Sequence, residues 1–312
     1  MINKDIIVSL LSPYGLNKAV LEPISSGLSG SATLISYEGK KYVLKTCNKT
    51  SGLETEVKFG DFLKKHNLPV ATIVKNKENQ LISIVDGYSG ALFDFCLGRE
   101  MGWGHLSNLF SENLAHALAR MHALMLNNTE IPTARRHGCK IDSVEGLTNK
   151  KIIQQRNRIG DEMKDLDLSG LREGLIHSDL TRQNILVTED GDGIDAIIDF
   201  GDAHFDYIAW DIAVLIAHVF ITKTYGVDWE ALSAFIKKYN SLFPLTRQEK
   251  DILIPFIKIR NINIAIEVNR LALNKNQDID DLLSIEDSVM TKLDTIEKNS
   301  CRLSSSFYGR SG

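Results

Sequence analysis

The chain has 312 residues, 43% hydrophobic and 24% charged, an ordinary globular balance whose length suits two lobes. Its net charge of −4 leaves no broad basic footprint for nucleic acid, and no apolar run approaches the roughly 18 residues of a membrane span. Cys47, Cys96, Cys139 and Cys301 stand too far apart for a metal knuckle or a disulfide framework, and Met1–Leu10 lacks the pattern of a leader. The expectation is a cytoplasmic protein, a monomer or homodimer.

In chain order, Thr33–Tyr37 and Lys41–Thr46 read as strands joined by the turn Glu38-Gly39-Lys40. A helix is predicted over Leu53–His66 from the spacing of Val57, Phe59, Phe62 and Leu63, and Asn67-Leu68-Pro69 ends it. Leu81–Val85 and Gly90–Phe95 form the next strand pair, around Asp86-Gly87. After a linker at Cys96–Gly98 comes a long helix over Leu106–Leu126, and helices dominate from there. The exception is Gly174–Phe200, where the apolar runs Ile185–Val187 and Ala196–Ile198 flank a polar turn. The small strand-rich part is residues 1–95 and the larger helical part 96–303. Residues 304–312, rich in Ser and Gly, read as a frayed tail.

The chemistry lies in that exception. Residues 177–184 read HSDLTRQN, and DFGD begins fifteen positions after the asparagine. The pair matches the catalytic loop H-x-D-x-x-x-x-N and the metal-binding D-F-G of kinases. Asp179 is then the candidate base for an incoming hydroxyl, and Asn184 and Asp199 are the candidate ligands of Mg2+ on the phosphates of ATP. Either motif alone is weak, but both in order, each at the end of a β-like run, are hard to arrange by accident. Upstream, Lys45 at the end of its strand is the candidate for the α- and β-phosphates, and Glu56 on the following helix is its candidate partner. Glu54 is the rival. Ser26, Gly27, Ser29, Gly30 and Ser31 lie in a small-residue turn that would let backbone amides approach phosphate. The linker Asp94, Phe95 and Cys96 is expected to offer backbone groups to adenine.

Six pieces resemble one family: EVKFGDFLKKHNLP from Glu56, ALFDFCLG from Ala91, LAHALARMHAL from Leu114, LIHSDLTRQNILV from Leu175, IIDFGDAHFDYIAWDIA from Ile197 and YNSLFPLTRQEKDILIPFIKIRN from Tyr239. Over roughly residues 20 to 275 the chain resembles the aminoglycoside phosphotransferase/choline kinase superfamily, most closely its type II homoserine kinase and hydroxylysine kinase branch. The resemblance implies an α+β, bilobal protein-kinase-like fold with a β-rich N-lobe and a mostly helical C-lobe. It also implies that Asp211 braces the catalytic loop; without it, Asp211 reads as a helix N-cap.

Three features depart from the protein kinases. There is no G-x-G-x-x-G, Thr181 stands two positions after Asp179 where they carry lysine, and no A-P-E follows. A protein substrate is therefore disfavoured. Arg182 either neutralises the γ-phosphate or forms a surface pair. His177 reads as a brace within the loop. Asp202 and Asp206 either meet a substrate ammonium or cap the next helix. Arg260, on a stripe with Asn263, Glu267 and Arg270, belongs either to a solvated face or to a pocket wall that binds a carboxylate. The expected activity is phosphorylation of a hydroxyl on a small molecule, best a hydroxy amino acid or amino alcohol. The alternatives are an aminoglycoside antibiotic kinase and a nucleotide-binding pseudokinase scaffold.

Overall fold

Strand alternation and turn chemistry build the first part of the chain. The computed structural model describes all residues except 1, 27–30, 49, 127, 129, 132, 134–139, 165, 223, 225, 274–278 and 310–312. At 23, 25, 26, 50–52 and 279–281 it describes the backbone alone. A helix the sequence reading did not foresee, α1 (Lys4–Leu11), is capped by Asn3, whose side chain accepts from the Asp5 amide. It is followed by an antiparallel sheet in the order β1 (Val20–Ser26), β2 (Ser31–Tyr37), β3 (Lys40–Cys47), β6 (Tyr88–Asp94) and β4 (Ile73–Val74), with β5 (Ser83–Val85) also on β6. The β2–β3 loop is Glu38 (φ 47°) and Gly39 (φ 77°). Two consecutive left-handed residues match the twist of the strands they join, so the hairpin closes without splaying. Asp86 and Gly87 repeat the device between β5 and β6. Leu10 and Leu11 of α1 pack with Ile35, Leu44 and Leu92 of the sheet.

Helix α2 (Thr50–Lys65) buries Val57, Phe59 and Leu63. Its observed span begins three residues before the expected one. A second small sheet has the order β10 (Ile194–Ile197), β9 (Ile185–Val187) and β7 (Arg99–Glu100).

The chain forms two compact units. One comprises Met1–Glu100, Thr129–Thr133 and Gln183–Ala203; the other comprises Met101–Asn128, Ala134–Arg182 and His204–Gly312. The expected division at residue 96 lies near the crossing at Glu100–Met101, but the stretch after Arg182 joins the first unit rather than the second. The cause is local. The Ile197 amide donates to the Pro69 carbonyl at 2.8 Å, and the Phe200 ring sits 4.9 Å from that of Phe59 on α2.

The second unit is helical. Helix α3 (Asn108–Met125) starts at Ser107, whose hydroxyl accepts from the Phe110 amide at 3.0 Å. Helix α4 (Lys150–Met163) precedes a short antiparallel pair, β8 (Glu173–Ile176) and β11 (His204–Tyr207). Helix α5 (Ile208–Leu215), buried along its whole length, runs into a π-helical turn at Ile216–Phe220. Helix α6 (Trp229–Leu242) packs on α3, while α7 (Arg247–Leu273) packs against α4, α5 and α8 (Ile279–Lys298). The frayed tail expected from residue 304 is not observed as far as Phe307. Helix α9 (Ser300–Phe307) buries Leu303 and Phe307, one helical turn apart, and these two anchors hold it. Half of the chain is helix (51%) and 19% strand, with the long strands confined to the first unit, so the class is α+β as the sequence indicated. Among the described residues no helix is long and apolar enough to cross a membrane.

Candidate active site

Each unit holds one set of reactive groups. In the first, Lys45 projects from β3. Its Nζ donates to Glu56 Oε1 at 2.6 Å and to Asp199 Oδ1 at 2.8 Å. Burial pushes the Lys45 ammonium down, but the Glu56 and Asp199 carboxylates outweigh it, and the group is held above its ordinary value. Glu56 is buried on the inner face of α2, whereas the rival Glu54 is spent on a half-exposed pair with Lys58. Asp199 follows β10 at φ 65°, ψ 62°, the left-handed region that a side-chain-bearing residue seldom occupies. Its side chain is 53% exposed, so the strained conformation presents the carboxylate rather than burying it.

Asn184 is buried at the head of β9, and its carbonyl accepts from the Ile198 amide at 3.0 Å. One carboxylate and one amide are hard oxygen donors of the kind Mg2+ takes, and Mg2+ is commonly held by only one or two protein groups plus phosphate oxygens. The donor set fits that ion. Among the described residues there is also no cluster of three or more His, Cys, Asp and Glu side chains that would make an all-protein metal cage.

In the linker, the Asp94 amide donates to the Thr72 carbonyl and the Phe95 amide to the Lys41 carbonyl. That leaves the Cys96 amide, which has no backbone partner among the described residues, as the donor of the segment. Ser31 bonds Thr46, hydroxyl to hydroxyl at 2.8 Å, and so is tied to the sheet. Gly27, Ser29 and Gly30 lie outside the described residues, as does the side chain of Ser26.

The second unit carries the loop that begins at His177. Asp211, fully buried in the first turn of α5, accepts from the His177 amide at 2.9 Å and the Ser178 amide at 2.6 Å. His122 Nε2 reaches the same carboxylate at 3.2 Å, and its Nδ1 reaches the Tyr239 hydroxyl at 2.7 Å. Ser178, held by this carboxylate, is itself left-handed at φ 71°. The Asp179 amide donates to His177 Nδ1 at 3.3 Å. Asp211 is therefore bonded into the loop rather than capping α5, whose N-cap residue is Tyr207, with no side-chain cap bond.

The Asp179 carboxylate is one-third exposed and pairs with Arg260 of α7, Nη2 to Oδ1 at 2.6 Å. On the same helix, Asn263 and Arg270 bond to the backbone of Lys140, Asp142 and Ser143, while Glu267 is exposed.

Two placements differ from the sequence expectation. Arg182 is buried: its guanidinium donates to the carbonyls of Gly102, Gly104 and Val219 and lies over the Trp103 ring. Its contacts are those of a strut between backbone segments, neither a surface pair nor an exposed cation. Asp206 is fully buried on β11, with Oδ1 accepting from the Tyr207 amide and Oδ2 3.3 Å from His204 Nε2, so it neither faces solvent nor caps α5. The short strand that turns it inward was not read from the sequence. Asp202 remains exposed.

Sequence reasoning gave no role to His218 or Lys292, and it read His122 only as a packing or surface residue at helical spacing. His218 accepts from Arg260 Nε at 3.0 Å, and buried Lys292 donates to the Ala217 carbonyl at 3.0 Å. The one local signal was the apolar setting of the two histidines. Lys292 gave none, because the carbonyl it bonds lies 75 positions away.

A homoserine kinase of Zymomonas mobilis is 26% identical over 254 residues, covering 76% of this chain and 77% of the relative. A hydroxylysine kinase of Mus musculus is 23% identical over 286 residues, covering 78% and 75%. Among solved structures, a microcompartment-associated aminopropanol kinase superposes with a TM-score of 0.77 at 16% identity, covering 97% of this chain and 99% of that one. An amicoumacin kinase in complex with AMP-PNP and Ca2+ gives 0.72 at 14% identity, covering 95% and 94%. These likenesses show a kinase-like fold. The profile of the phosphotransferase enzyme family matches residues 20–231, more than half of the sequence, and the chain belongs to that family.

Proposed function

We propose that this phosphotransferase moves the γ-phosphoryl group of Mg-bound ATP to the hydroxyl of a small hydroxy amino acid, with amino alcohols as the nearest alternative acceptors. Nucleotide and metal use is supported by Lys45, Glu56, Asn184 and Asp199, and by the nucleotide and divalent ion bound to the amicoumacin kinase. The acceptor class is supported by the names of the two relatives, homoserine kinase and hydroxylysine kinase. The observation that carries it is Arg260, a half-buried guanidinium beside the proposed base. A substrate carboxylate suits that site. The polycationic aminoglycosides do not, because Arg182, Arg260 and Lys292 already concentrate positive charge there.

In this mechanism Asp179 takes the acceptor's hydroxyl proton as the oxygen forms its bond to the γ-phosphorus. The bond from that phosphorus to the β,γ-bridging oxygen breaks, and ADP leaves. Asn184 and Asp199 would hold Mg2+, which when bound supplies positive charge against the phosphate oxygens. Lys45, steadied by Glu56, serves the α- and β-phosphates. Asn184 stands five positions after Asp179, which limits their Cα atoms to roughly 18 Å apart.

The test is kcat/KM by ADP release with Mg·ATP for homoserine, hydroxylysine, threonine, choline, ethanolamine and kanamycin. A hydroxy amino acid is expected to lead by roughly tenfold or more per lost charged group. A clear win for kanamycin, or no turnover of any amino acid, sinks the reading.

A further inference from the structure

The π-helical turn Ile216–Phe220 gathers three cations on three consecutive residues. The Ala217 carbonyl accepts from Lys292, the His218 ring from Arg260, and the Val219 carbonyl from Arg182. A π turn of this kind breaks the regular α-helical bonding pattern and is frequent at functional sites. Arg260 cannot lose its proton, so His218 Nε2 must be the acceptor of that bond and the imidazole must be neutral with its proton on Nδ1. Burial, then the charges of Arg260 and Lys292, push His218 well below its ordinary value and hold it in that form.

The consequence for Arg260 is specific. Its Nε is committed to His218 and one Nη2 proton to Asp179, while Nη1 has no partner among the described residues. The side chain is 24% exposed. The Nη1–Nη2 edge is the edge that matches a carboxylate through two parallel bonds. Its one anionic partner here is the proposed base, so a second anion reaching that edge competes with Asp179 directly.

We propose that the acceptor's carboxylate takes Asp179's place on Arg260, so that Oδ1 of the base is released to the hydroxyl proton only when a carboxylate-bearing acceptor is bound, with His218 as the positioning residue that keeps Arg260 in place during the exchange. The proposal rests on the hydroxy amino acid reading and adds to it a cause for selectivity. An amino alcohol fills the same space but brings no anion, and Arg260 stays on Asp179. The chemical step is unchanged: the hydroxyl proton passes to Asp179, the acceptor oxygen bonds the γ-phosphorus, and ADP departs.

The experiment uses a matched pair, homoserine and 3-amino-1-propanol, which share the hydroxyl and the amine and differ by the carboxylate. Each is assayed with Mg·ATP, the amino alcohol also with added propionate. For the unaltered chain, homoserine is expected to win by on the order of 100-fold in kcat/KM, the usual cost of leaving a buried charge partner unmatched. Propionate is expected to raise kcat on the amino alcohol severalfold by occupying Arg260. In R260Q the preference is expected to fall below about tenfold, with the loss confined to homoserine, and the propionate effect to vanish. H218Q, whose amide oxygen can still accept from Nε, is expected to keep the preference, whereas H218L is expected to raise KM for homoserine. R260K, which keeps the charge but not the fork, replaces R260Q if that variant melts early. An equal loss on both acceptors in R260Q, or an unchanged preference, overturns this inference while the acceptor reading stands. A chain that prefers the amino alcohol overturns both.

Discussion

Removing the Asp211 carboxylate tests how the loop beginning at His177 is held. The group is fully buried and accepts from two backbone amides and from His122. Asp211→Ala leaves all three donors without that acceptor. Each unsatisfied buried donor costs about 1–3 kcal/mol, and breaking a buried charged pair costs about 3–5 kcal/mol in total. Against a domain stability of about 5–15 kcal/mol, a loss of about 3–5 kcal/mol at pH 7 is expected. The cost should also depend on pH. Burial pushes the Asp211 carboxyl up, but the hydrogen bond and field of His122, and then His177, outweigh it and hold the group below the usual carboxylate range. A depressed folded-state value means that the stabilisation is present in full above the unfolded value of about 3.9 and is lost as pH falls through the folded one. Urea denaturation of both proteins between pH 7 and pH 3 should therefore show the gap closing only at the acid end. Ser178 supplies an internal control. Its left-handed backbone costs little once it is glycine, so Ser178→Gly in the Asp211→Ala background is expected to recover about 1 kcal/mol. An Asp211→Ala cost below about 1 kcal/mol, or a gap independent of pH, would refute the argument that this carboxylate shapes the loop.

Three further outcomes are expected. Asp179→Asn should retain nucleotide binding by calorimetry but lose about 10²–10⁴-fold in turnover, the usual contribution of a positioned base; near-normal turnover would show that the base lies elsewhere. Asp199→Ala should weaken Mg·ATP far more than metal-free ATP, and equal losses in the two titrations count against a metal role. Lys292 is pushed down to about 8 by burial, then by Arg182 and Arg260. The unfolded chain holds that proton up to about 10.4, so stability should rise as pH climbs from about 8 to 10.4, with the penalty complete below 8. Lys292→Met is expected to raise stability at pH 7 by about 1–3 kcal/mol and to flatten the alkaline rise in urea melts; a destabilised variant contradicts this.

What could be read in the sequence was what local chemistry specifies. Glu38-Gly39 and Asp86-Gly87 announce hairpins because few residue pairs tolerate two successive left-handed positions. HSDLTRQN and DFGD stand out because the chemistry requires those residue types at that spacing. The Lys45–Glu56 pair followed from a strand leading into a helix with one packed face. What was missed depends on long-range packing. Asp206 lies in an acidic stretch, and only the pairing of the four-residue strand β11 with β8 turns it inward. The π turn lies in the largely apolar run that follows α5, broken only by His218, where no periodicity marks an extra residue. From its position in the motif Arg182 reads as either a γ-phosphate cation or a surface pair, yet its partners are carbonyls as far away as residue 219. Lys292 reaches Ala217 from 75 positions away, a pairing that no local pattern in α8 specifies.

The two proposed reactive carboxylates are both held by cations, and the difference between those cations carries a consequence. Lys45 is shared by Asp199 and the buried Glu56, so it keeps a counter-ion when Asp199 turns to a metal. Asp199 can be released without leaving an uncompensated charge behind. Arg260 has Asp179 on one side and a neutral imidazole on the other, with Lys292 and Arg182 adding positive charge nearby. If Asp179 leaves it, a partly buried guanidinium is stranded among like charges unless another anion arrives. The nucleotide's side of the chemistry can thus assemble alone, while the base stays bound to Arg260 until an acceptor supplies the missing negative charge. On this reading water is a poor substitute acceptor because it brings no charge to exchange, and idle ATP hydrolysis is suppressed by electrostatics rather than by excluding water from the site.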